Sequence, residues 1–143
     1  MTIATLSKRL NIRPPSLYNH VSGLQEIHAA LAEKGLTMLR EKGIHVTEGL
    51  DKEGAVLAFA KQYVQFVREH PGLYEADLFT YGGQKVRSEA ERLVEFVQSI
   101  MTRFGVKEEE MTHVVRGLKA YCTALVIFQI KRDFNEKNSL KTV

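Results

Sequence analysis

Within eight positions the chain places Arg13, Ser16, Tyr18, Asn19 and His20, side chains suited to reading and gripping a nucleic acid. Arg and Asn are good readers of guanine and adenine edges, and a Tyr hydroxyl can hold a phosphate oxygen at low entropic cost. Lys8 and Arg9, just upstream, are candidate phosphate holders. A second group, Tyr63, Phe66, Tyr74, Phe96 and Tyr121, together with Phe59, could line an apolar ligand pocket, although aromatic residues at helical spacing more often build a core.

Other chemistries find little support. The sequence holds no Gly-rich phosphate loop, nucleophile elbow or paired-carboxylate cleft, and Glu108–Glu110 are better explained by helix-end electrostatics. The reading is therefore of a protein that is not an enzyme and takes no cofactor. The histidines lack metal-ligand spacing, so no metal is expected. The single cysteine, Cys122, rules out an internal disulfide framework and reads as a small buried hydrophobe. The longest apolar run, Ala120–Phe128, is far short of the ~20 residues that span a bilayer, and no signal peptide opens the chain. A soluble, cytoplasmic protein without a membrane partner is expected.

With 143 residues, 44% apolar and 26% charged, the chain can bury one core without staples. Its net charge of +3 is unevenly placed. The first 25 residues carry Lys8, Arg9 and Arg13 and no acid, leaving 20 − 3 = 17 basic against 17 acidic residues in the rest. A basic head on a neutral body suits an anionic partner.

The elements that must position these residues read as helices throughout. Thr2 can cap a short helix to about Leu10, with Ile3, Leu6 and Leu10 on one face, before Asn11 turns the chain. Pro14 and Pro15 fit the first turn of a second short helix ending near Val21, with Leu17 and Val21 inward. That spacing matches a helix-turn-helix. Ser22 and Gln25 resemble a capping box that opens a long helix, with Leu24, Ile27, Leu31, Met38 and Leu39 inward and Gly43 as its stop. A linker over Ile44–Leu50 leads to a helix capped by Asp51 and ended by His70-Pro71, and a short segment follows, broken by Gly82-Gly83. A fifth helix covers about Gln84–Phe104, and a last one starts near Lys107. The last is apolar around much of its circumference, so its own core or a second chain must cover it. The fold class is all-α: residues 1–43 form a helix-turn-helix head with its lever helix, and residues 44–143 a helical ligand-binding and dimerisation body.

The stretch Leu10-Asn11-Ile12-Arg13-Pro14-Pro15-Ser16-Leu17-Tyr18-Asn19-His20-Val21 resembles the helix-turn-helix signature of the TetR family of bacterial transcriptional regulators. Phe66–Tyr74 is similar to a helix-ending motif of one subgroup's ligand-binding domain, and Arg116-Gly117-Leu118-Lys119-Ala120 to the start of its dimer-forming helix. The resemblance implies a homodimeric repressor that binds double-stranded operator DNA and is released when a small-molecule effector enters the body. It puts Ser16, Tyr18 and His20 on DNA-contacting positions, with Arg13, Pro15 and Asn19 on the reading face. It also implies a lysine where Leu24 stands, a helix ahead of Thr2 and a further helix after Phe134, so both ends are expected to read short. The alternative is a dimerising, ligand-binding module whose incomplete head no longer binds DNA.

Overall fold

The computed structural model describes residues 2–73 and 83–139, and all regular structure among them is helical. Tyr74, Leu78, Phe79 and Gly82 lie outside the described residues.

Local chemistry sets the first two helices. In α1 (Ile3–Leu10) the Thr5 N–H donates to Thr2 Oγ1 at 3.1 Å and the Thr2 N–H to Thr5 Oγ1 at 2.9 Å, a reciprocal cap. The helix ends at Asn11, whose φ of 54° is left-handed, a conformation that a short polar side chain tolerates. Then α2 (Pro14–Tyr18) begins on two prolines, whose missing N–H groups would have been unpaired in any case. It is shorter than its spacing predicts: the His20 and Val21 N–H groups both bond the Leu17 carbonyl, at 3.0 and 3.1 Å, and the regular ladder stops at Tyr18 rather than near Val21.

The long helix α3 (Leu24–Thr47) departs from expectation at both ends. Ser22 pairs with Glu26, not Gln25: its N–H and its Oγ donate to Glu26 Oε2 at 2.7 and 2.8 Å. Those two bonds hold the Glu26 carboxyl below the usual range, the backbone bond contributing most. Gly43 is no stop. The helix runs through it to Thr47 and turns at Gly49, φ 71°. A Cβ on Gly43 would lie 2.8 Å from the Phe96 ring and 2.9 Å from the Phe59 ring, so the absent side chain lets two neighbouring helices approach. Packing here outweighs the roughly 1 kcal/mol that glycine costs a helix.

Helix α4 (Lys52–Glu69) is capped as the sequence suggests, Asp51 Oδ1 accepting from the Gly54 N–H at 2.7 Å, and it ends ahead of Pro71. Residues 71–73 make one further helical turn. Helix α5 (Gln84–Phe104) closes on Gly105, φ 105°, whose N–H reaches the carbonyls of Met101 and Thr102. In α6 (Glu108–Ser139) three glutamates fill the first turn, where the helix dipole favours them.

Helices α3, α4 and α5 pack together and α6 lies against α4 and α5. The core holds Leu39, Phe66, Val67 and Val126 in one cluster and Ala55, Ile100, Met101 and Met111 in another. Of the expected inward stripe on α3, Leu39 is buried and Leu31 and Met38 are half-buried, while the deepest contacts fall on Ala32 and Leu36. A buried acid, Glu89, ties α5 to α3 through Arg40 at 3.5 Å and also pairs with Arg92 on its own helix.

Candidate functional site

The head is built from α1, the Asn11 turn and α2. Leu17 is its anchor, 8% exposed, and fixes which side of α2 turns outward. At 100° per residue, Pro15 and Asn19 lie opposite Leu17, with Ser16 and Tyr18 flanking them. All four are exposed, as are Lys8, Arg13 and His20. Tyr18 keeps 55% of its surface exposed, far more than a packing residue needs. Arg13 holds the N-cap position of α2 with extended backbone, and its side chain makes no capping hydrogen bond. Lys8 and Arg9 stand in the last turn of α1, where the negative helix end favours positive charge.

The inward side differs from the expected stripe. Ser7 is the buried residue of α1, at 1% exposure, whereas Leu10 remains 55% and Ile12 40% exposed. Periodicity alone does not single out Ser7, because a small hydroxyl residue carries little apolar signal.

The second site is a cavity of about 170 Å³ lined by α3, Leu73, α4, α5 and α6. Tyr63 and Phe66, both candidates from the sequence, stand on its wall. Phe96 is not on the wall: it packs edge-on against Phe59, ring centroids 5.5 Å apart, and against Gly43. Tyr121 is 64% exposed on another side of α6, and Tyr74 lies outside the described residues. Much of the wall is aliphatic, including Leu36, Leu39 and Leu93, residues that no sequence pattern separates from core. Lys119 and Cys122 add polar groups from α6, and burial pushes the Cys122 thiol up, leaving it neutral at physiological pH.

The two faces of α6 differ in kind. Leu118, Cys122 and Val126 turn inward, while Tyr121, Leu125 and Phe128 form an outward stripe at 64%, 40% and 72% exposure. Gly117, four residues before Tyr121, has open space beside it. No helix among the described residues is long and apolar enough to cross a membrane.

Residues 56–140 match the family model described as the tetracyclin repressor-like C-terminal domain. The chain is also 33% identical over 141 residues to the uncharacterized HTH-type transcriptional regulator YobS of Bacillus subtilis (strain 168), covering 98% of this chain and 74% of that protein. It is 35% identical over 80 residues to the uncharacterized HTH-type transcriptional regulator Rv0681 of Mycobacterium tuberculosis, covering 53% of this chain and 35% of that one.

Proposed function

Since the chain belongs to the TetR family of helix-turn-helix transcriptional regulators, we propose that it acts as a homodimeric repressor, released from its operator by a small-molecule effector. Residues 1–43 serve as the DNA-reading head and its lever, and residues 44–143 as the effector-binding, dimerising body. The observation that carries the DNA-reading assignment is the orientation of α2, with Leu17 buried and Arg13, Pro15, Ser16, Tyr18, Asn19 and His20 exposed on a stretch free of acidic residues. A helix so presented fits the major groove, with its early residues at base edges and its neighbours on phosphates.

A gel-shift titration against genomic fragments tests the reading. Binding should select a near-palindromic site and fall steeply with salt as counterions are released. Tyr18→Phe removes one hydroxyl and weakens binding to every sequence alike, by about 1 kcal/mol, or roughly fivefold. Substituting Arg13 by Ala instead changes which base is preferred at one position of each half-site. Unchanged binding in both variants would show that α2 is not the reading helix.

A second reading, a dimerising module without DNA affinity, is favoured by the exposure of Leu10 and Ile12, which leaves apolar surface open on the head. A dimer by light scattering that retards no fragment even at low salt would select it.

A further inference from the structure

We propose that the cavity takes a small organic monoanion, with an apolar body about one substituted ring in size and a carboxylate-type head held by Lys119. The inference rests on the effector reading above and deepens it.

Size comes first. The cavity measures about 170 Å³, and an apolar cavity of about 150 Å³ is known to accept benzene. One ring with a short substituent fits such a space. The wall then sets polarity. Leu36, Leu39, Phe66, Leu93 and Leu118 present hydrocarbon, and none of the described lining residues is Asp or Glu. A cationic ligand would lose its hydration against these residues with no carboxylate from them in return, a cost that apolar contact does not repay.

Charge gives the third constraint. Lys119 lines the cavity yet is itself exposed, so it stands at the rim, and no described residue forms an ion pair with it. An ammonium at the mouth of a hydrocarbon pocket matches a ligand whose body is buried and whose anionic head stays beside water. There the head forms a charge-assisted hydrogen bond without paying full desolvation.

Cys122 supplies the readout. It is the only cysteine in the chain and it stands on the cavity wall, so its reaction with N-ethylmaleimide reports occupancy of this cavity alone. Three probes of one shape and different charge separate the possibilities: 4-ethylbenzoate, 4-ethylbenzyl alcohol and 4-ethylbenzylamine. The benzoate is expected to slow labelling at the lowest concentration and the amine at the highest. Lys119→Gln should raise the half-protecting concentration of the benzoate about tenfold, the size of a partly screened charge-assisted bond. It should leave that of the alcohol unchanged, which also shows that the variant is folded.

The proposal is overturned if the amine protects as well as the benzoate, if Lys119→Gln leaves the benzoate midpoint in place or moves the alcohol equally, or if none of the three protects. Failure of the effector reading looks different. A benzoate that protects Cys122 in a Lys119-dependent way but leaves operator binding intact would remove the regulatory role and keep the site.

Discussion

Phe128→Glu is expected to yield a monomer that binds operator DNA at least about a hundredfold more weakly. Phe128 is 72% exposed and Tyr121, seven residues earlier on the same side of α6, is 64% exposed. Two large aromatics in register, with Leu125 between them, form an apolar stripe that a helix in a single folded unit would not leave to water. In a symmetric pair the same stripe meets its own copy, so each substitution counts twice and each introduced carboxylate faces its twin. The operator penalty follows from lost avidity: two linked heads gain about 10²–10⁴ over one. Sedimentation equilibrium and a gel-shift titration read the two effects. A variant that remains dimeric with wild-type affinity would show that this stripe is not the subunit interface.

The second large effect belongs to Gly43. Gly43→Val should lower stability by about 3 kcal/mol, near the upper end of what overpacking costs, and depress the melting temperature by about 10 °C. The new side chain has nowhere to go: even its first carbon would lie 2.8 Å from Phe96 and 2.9 Å from Phe59, and those rings are packed edge-on against each other. Gly72→Ala is the control, since no described residue lies within 4 Å of the atom it adds. Thermal denaturation followed by circular dichroism decides the matter, and equal melting of Gly43→Val and wild type would refute the close helix crossing.

Gly43 also marks the limit of what the sequence discloses. Thr2, Asn11, the two prolines and Asp51 were legible because each acts on backbone within a few residues of itself. A glycine just past a periodic stretch looks the same whether it ends a helix or admits a neighbour, and the neighbours that decide it, Phe59 and Phe96, are 16 and 53 positions away. The Ser22 partner differs from the expected one by one residue for a related reason: spacing alone does not separate Gln25 from Glu26, and the chain uses the acid, a stronger acceptor. For the cavity, an aromatic criterion found Tyr63 and Phe66 but passed over Leu36, Leu39 and Leu93, because an aliphatic lining differs from an aliphatic core only in what it fails to touch. The outward residues of α2 were recognisable because Leu17 alone fixes the sense of so short a helix.

Helix α3 has no break between the head and the wall of the cavity, and its 24 residues make a rod of about 36 Å at 1.5 Å per residue. Such a rod has angular gain. A tilt of about 5° imposed at its far end swings the near end by about 3 Å, and in a two-fold pair the displacements add to about 6 Å. Half-sites one turn of duplex apart lie about 34 Å from centre to centre, so a mispositioning of that size cannot be absorbed by side-chain adjustment at both grooves together. Under the effector reading proposed above, a shift of about 1 Å where Leu39 meets a guest corresponds to such a tilt and is enough to unseat a head from its groove.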